Sequence, residues 1–219
     1  MELARFSMTN TLSRLSVARK TGSEALHIEG DRLPVTLLEF WQWSASDLVS
    51  NVTRGPLAEF IIATALGIDT RGVRSEWDAF DLVTSTGLKI EVKSAALVQS
   101  WHQNRLSPVS WRVPRTRAWD ATTNIYSADS RRRADIYVFA LLQHEDKSSI
   151  DPMNLSQWCF FVLPTRLLDE RTRSQHSITL RSMQALAESV TYHGLPAAVD
   201  HAGELQRTGL GVSRLSAAG

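Results

Sequence analysis

The chain has 219 residues, is 43% hydrophobic and 21% charged, and carries a formal net charge of +1. Those values describe one soluble domain with a sizeable core, and they argue against a disordered chain or a wholly basic nucleic-acid binder. The lone cysteine, Cys159 in WCFFVL, excludes an internal disulfide and a cysteine zinc site. No apolar run reaches about 18 residues, and the N-terminus has no apolar secretory core, so the expected location is cytoplasmic.

Residues 1–30 are polar and mixed and are expected as a loosely packed arm. LLEFWQWSASDLVS (37–50) reads as the first helix. Thr36 and Glu39 form a capping box, and Leu37, Phe40, Trp41, Ser44 and Leu48 form its stripe. NVTRGP should break that helix, with Pro56 in the first turn of a second one, LAEFIIATALG, closed by Gly67. The second helix is apolar nearly all round, and Glu59 is its sole ionisable residue. A buried carboxylate needs a partner. Glu59 sits either near the positive end of the helix dipole or in a site.

EWDAFDLVT, the turn STG and GLKIEVKSA read as a hairpin. A further strand is expected at VSWRVP (109–114). IYVFALL (136–142) and QWCFFVLP (157–164) read as strands covered on both faces. Helices are expected at 164–171 and 182–189, the latter after the strand-like SITL. From about residue 200 the composition suggests a frayed tail. Helices first, a meander, then alternating strand and helix give a mixed-sheet α/β domain spanning 1–219, with its core at about 37–195 and 205–219 loosely held.

Arginine supplies 20 of the 24 basic residues, and six arginines lie between Arg112 and Arg133. Guanidinium forks match phosphate oxygens, so this stretch is a candidate for phosphate contacts; a salt-bridged surface loop explains it equally well.

Within GLKIEVKSA, Ile90 and Val92 alternate with Glu91 and Lys93, which alone describes an ordinary edge strand with a solvated face. The hairpin changes the reading. With the turn centred on Thr86, Asp81 and Glu91 are symmetrically placed and face each other, their Cβ atoms roughly 4.5–5.5 Å apart. Like charges so placed call for a cation or a raised pKa. Phe80, Leu82, Ile90 and Val92 should share the opposite, apolar face. Asp78, of opposite parity, competes less well with Asp81. Two carboxylates and a backbone carbonyl offer hard oxygen ligands to Mg²⁺, and Lys93 lies beside them to orient or deprotonate a water or to stabilise added charge on a phosphate. Glu59 could hold a second ion through water or orient a ligand. The constellation suits phosphodiester hydrolysis.

These residues resemble the PD-(D/E)xK nuclease superfamily, with its restriction-endonuclease-like mixed sheet flanked by helices. The resemblance covers roughly 37–165 and rests on RGPLAEFIIATALG, DAFDLVTSTGLKIEVKSA and RADIYVFAL. It implies Asp81 and Glu91 as ligands of Mg²⁺, with Mn²⁺ as substitute, Lys93 as the catalytic lysine, and Glu59 as the supporting helix glutamate. Phe80, not Pro, precedes Asp81, which departs from the family pattern. Gln99, six residues after Lys93, is a further candidate near the site, and Asp135 is expected to order a strand start. The implied activity is an endonuclease acting on double-stranded DNA, with a homodimer as one way of cutting both strands. A repair or junction-resolving enzyme shares that site. A non-catalytic DNA-binding or assembly module that keeps the fold is the alternative from another class. The six histidines show no H-x-x-H or HExxH spacing, and neither a P-loop nor G-x-S-x-G occurs.

Overall fold

The computed structural model describes residues 15–209 apart from 77 and 121. In chain order it contains β1 (Ala25–Ile28), β2 (Asp31–Thr36), α1 (Leu37–Ala45), α2 (Asn51–Ala65), β3 (Leu82–Val83), β4 (Lys89–Ala96), β5 (Ser110–Arg112), β6 (Trp119–Asp120), β7 (Ile125–Tyr126), β8 (Ile136–Leu142), β9 (Trp158–Pro164), α3 (Thr165–Asp169), β10 (Ser177–Thr179), α4 (Leu180–Gln184) and α5 (Leu195–Thr208).

A four-stranded mixed sheet in the order β3-β4-β8-β9 forms the centre. β3 pairs antiparallel with β4, β4 runs parallel to β8 from Ile90↔Ile136 to Ala96↔Leu142, and β8 is antiparallel to β9. Side chains alternate across it as strand geometry demands. Ile90, Val92, Ile136, Val138 and Phe160 face α2 and α5. Ala95, Tyr137, Phe139 and Phe161 face Trp111, Leu168 of α3 and Met183 of α4. Both faces are therefore covered, which is why IYVFALL and WCFFVLP are continuous apolar runs. Cys159 is a core residue of β9, and burial raises its thiol pKa to about 11.

Local chemistry explains most element ends. Thr36 and Glu39 do form the capping box of α1. Gly67 closes α2 with φ +65°; its N–H reaches Thr64 O, and that of Ile68 reaches Ala63 O, a Schellman cap. The hairpin loop Ser85–Thr86–Gly87 has Gly87 at φ +83°, the left-handed position that a three-residue loop requires.

Four expectations are corrected. α1 ends at Ala45, and none of its residues is buried; Phe40 and Trp43 are exposed, because among the described residues no helix or sheet packs over this stripe and only the arm at 21–24 touches it. The break falls at 46–50, and α2 begins at Asn51 with Pro56 inside it, the cap coming from the Ser50 hydroxyl. The residues from 200 to 208 are helical: α5 starts with Pro196 in its first turn, seats Leu195, Val199 and Ala202 in the core, and ends at Gly209 in the left-handed region. Phe80 packs against the cluster that contains Trp111 and Phe139 rather than the one that contains Ile90, because regular strand begins only at Leu82 and parity does not carry back to residue 80. The sequence reading missed the β1–β2 and β6–β7 hairpins. Residues 1–14 of the expected arm and 210–219 of the expected tail lie outside the described residues.

Candidate active site

α2 lays Ala58, Ile61 and Ile62 on the sheet. Burying a side chain such as Ile62 contributes about 1.5–3 kcal/mol. That seating fixes Glu59, three residues before Ile62 and on the same side of the helix. Glu59 is 8% exposed and lies two turns inside α2. The dipole account therefore fails, because that effect fades within the first turn. Glu59's partner is Arg74, from the loop after the helix. The guanidinium grips both carboxylate oxygens, with Nη2 to Oε1 at 2.7 Å. Hydrogen bonding to Glu59, reinforced by the charges of Glu59, Asp81 and Glu76, raises the pKa of Arg74.

The hairpin places the other groups. Leu82↔Ile90 and Val83↔Lys89 are paired, the register that the STG turn implies. Asp81 stands just beyond this ladder. Its N–H donates to Ile90 O at 2.9 Å, and its Oδ2 accepts the Val92 N–H at 2.7 Å. The carboxylate thus replaces a strand partner for Val92, which sets it beside Glu91. Lys93 Nζ donates to Glu91 Oε1 at 2.5 Å. Both residues are half-buried, on the face opposite Ile90 and Val92.

Burial drives the Asp81 carboxyl well above the usual carboxylate range, to about 7. The Glu91 charge is the next cause, and Glu59 adds to it, while the Val92 N–H and Lys93 oppose it. Glu59, Asp81, Glu91, Lys93 and Arg74 therefore form one electrostatic group, three acids against two bases. A stability prediction follows. In the metal-free protein Asp81 holds its proton to about pH 7, against about 3.9 in the unfolded chain. Between those limits the folded state binds more protons, so stability falls as pH rises from about 4 to 7 and levels off above. Urea unfolding in EDTA should show this decline in the wild type and its loss in Asp81→Asn. A wild-type profile that rises over the same window would contradict it.

Tyr137 lies opposite Glu91 in the β4–β8 register and is buried. Burial first, and then the Glu91 charge, raise its phenol pKa. Neither Tyr137 nor Arg74 was singled out from the sequence. The signal for Arg74 was the sole acid of an apolar helix, which required a cation nearby.

The remaining candidates lie apart. Asp78 is exposed in the loop. Gln99 is buried; its amide donates to Ala96 O and accepts from Arg54, tying the end of β4 to the start of α2. Asp135 orders the start of β8 as expected, its carboxylate accepting from Lys89 N. Of the arginine run, Arg132 is unavailable to any ligand. Its side chain is fully enclosed and donates to Val113 O, Gln175 O, Gln175 Oε1 and Asp169 Oδ1. Arg133 is held by Asp129 and Ser127, and Arg131 pairs with Asp129 at the surface. The stretch therefore owes part of its arginine density to structure.

Among the described residues, no group of three or more His, Cys, Asp or Glu side chains is gathered to hold a metal. Arg74 occupies Glu59, whereas Asp81 and Glu91 have no arginine on them among the described residues. No helix of the described residues is long and apolar enough to cross a membrane.

The family model of bacteriophage T4 endonuclease IV matches residues 33–182, more than half of the chain. The matched span contains Glu59, Arg74, Asp81, Glu91 and Lys93. No curated protein matches.

Proposed function

We propose that this chain, which belongs to the bacteriophage T4 endonuclease IV family, is a divalent-metal-dependent endonuclease hydrolysing DNA phosphodiester bonds at a restriction-endonuclease-like site. The observation that carries this reading is the convergence of Asp81, Glu91 and Lys93 on one hairpin inside the matched span. The family is one of endonucleases, and these three side chains are the group in the described chain best suited to phosphodiester chemistry.

The donor set fits a hard cation. Asp81 is half-buried beside two like charges, Glu91 and Glu59, and is only partly compensated by Lys93. Asp81 and Glu91 would hold a Mg²⁺ or Mn²⁺ ion, and its charge would offset that repulsion. Mg²⁺ is commonly bound by one or two carboxylates with water and phosphate completing the shell, so a pair suffices. When bound, the ion supplies Lewis-acid polarisation of the phosphate and an acidified water.

The protein's own groups then have separable tasks. Val92 N–H fixes Asp81 Oδ2, so that the other carboxylate oxygen would be the one to meet an ion. Glu91 presents one oxygen to Lys93 and one to the site. The Lys93 ammonium has three donors. One holds Glu91, and the others orient the attacking water and meet the charge that develops on the phosphoryl oxygens. Arg74 holds Glu59 in place through both carboxylate oxygens, so that Glu59 supports the site through its charge on Asp81 rather than by ligating directly. Two such sites in a homodimer would serve the two strands of a duplex.

Incubation of purified protein with supercoiled plasmid tests the reading. Nicking or linearisation in Mg²⁺ or Mn²⁺, abolished by EDTA and by Glu91→Ala, is expected. Retained DNA binding with no cleavage under any divalent ion would favour the non-catalytic module instead.

A further inference from the structure

A cavity of about 650 Å³ lies between the arm at 17–21, α1 and the loop after α2, lined among others by Arg19, Lys20, Thr21, Trp41, Gly72 and Val73. Its volume lies in the range of small-ligand sites. We propose that this cavity is a nucleotide subsite, which receives one unstacked nucleotide of the DNA strand with its base on the Trp41 indole and its phosphates on Arg19 and Lys20. The proposal rests on the reading of the chain as a DNA endonuclease.

Four observations converge on it. First, Trp41 is presented by its surroundings. Gly22, at φ +93°, lets the arm's backbone press against one side of the ring; a Cβ there would come within 3.1 Å of Trp41 Cζ3. The arm is pinned across α1 by Leu37 N to Glu24 O and Leu38 N to Gly22 O. The indole is thus held in position and still 38% exposed. Second, the nearby acids are engaged elsewhere by hydrogen bonds, although the charge of Arg19 also reaches Asp69. Glu24 accepts the Thr21 and Gly22 N–H groups, and Asp69 is held by Arg71. Among the described residues, neither Arg19 nor Lys20 has a hydrogen-bonded or ion-paired partner, and both are exposed. Third, the lining combines an aromatic face with two cations and no carboxylate, the pairing by which proteins bind bases and their backbone. Fourth, the cavity wall is joined to the site through one segment of chain. Val73 forms its wall, and the next residue, Arg74, grips Glu59.

The test is fluorescence anisotropy in EDTA with a labelled single-stranded decamer, the same decamer in a duplex, and a decamer of abasic residues. EDTA makes binding independent of the metal and of cleavage. Trp41→Ala should weaken binding of the base-bearing decamer about 10-fold, Trp41→Phe should restore most of it, and the abasic decamer should bind wild type and Trp41→Ala alike. The double variant Arg19→Ala/Lys20→Ala should lower the salt dependence by about 0.7 per lost contact. A loss on the single strand alone means that the nucleotide comes from unpaired DNA, and a loss on the duplex as well means that it is drawn out of the helix. Unchanged affinity in a folded Trp41→Ala, or an equal loss on the abasic decamer, would overturn the subsite. The endonuclease reading stands or falls separately: a Trp41-dependent affinity in a protein that cleaves nothing in Mg²⁺ would keep the subsite and remove the enzyme.

Discussion

Lys93→Ala should lower Mg²⁺-dependent DNA cleavage by about 100- to 1000-fold, the effect of removing one pre-organised donor from a transition state, or about 2.7–4 kcal/mol. The ammonium is placed for this by the β4 pleat and by its 2.5 Å contact with Glu91. Its side chain is 30% exposed, so truncation leaves little cavity, and urea stability should shift by less than about 1 kcal/mol. DNA binding supported by Ca²⁺ should survive, because Asp81 and Glu91 remain to hold the ion. This combination separates a catalytic lysine from a surface one. Wild-type and Lys93→Ala proteins that nick plasmid at equal rates would return GLKIEVKSA to the status of an ordinary edge strand.

Arg132→Ala should be strongly destabilising, costing about 1–3 kcal/mol for each acceptor it leaves buried and unpaired. The guanidinium crosses between the segment after β5 and the loop before β10, satisfying the carbonyls of Val113 and Gln175. Without it the Val113 carbonyl stays buried and unpaired, and the half-buried Gln175 carbonyl loses its partner. Asp169 keeps Arg115 as a second partner, which limits the loss on that side. The denaturant midpoint should therefore drop sharply. A variant of near wild-type stability with weakened DNA binding would instead make Arg132 a phosphate ligand, against its full enclosure.

The contrast between these two residues shows what the sequence could disclose. The hairpin was legible because its determinants are local. STG specifies a short loop with a left-handed glycine, the loop fixes the register, and the register sets Glu91 and Lys93 on one face. The capping box of α1 and the Gly67 cap were legible for the same reason. Arg132 was not, because its burial depends on carbonyls at positions 113 and 175, which only the folded chain brings together. The exposure of α1 was also hidden, since a stripe of Phe and Trp predicts burial whether or not another element covers it. Glu59 fell between these cases. Its need for a partner was legible, but the choice of Arg74 depends on the path of the loop. The helix at 195–208 carried its own signals, Pro196 and Gly209, which the Gly- and Ala-rich composition obscured.

The central claim is that Asp81 and Glu91 jointly hold a divalent ion. Anomalous diffraction from crystals soaked in Mn²⁺ tests it most directly. The expected result is one anomalous peak within about 2.0–2.4 Å of an Asp81 oxygen and a Glu91 oxygen, lost in Asp81→Asn crystals. A peak held by other side chains, or no peak at Mn²⁺ concentrations that support DNA cleavage, would contradict the account.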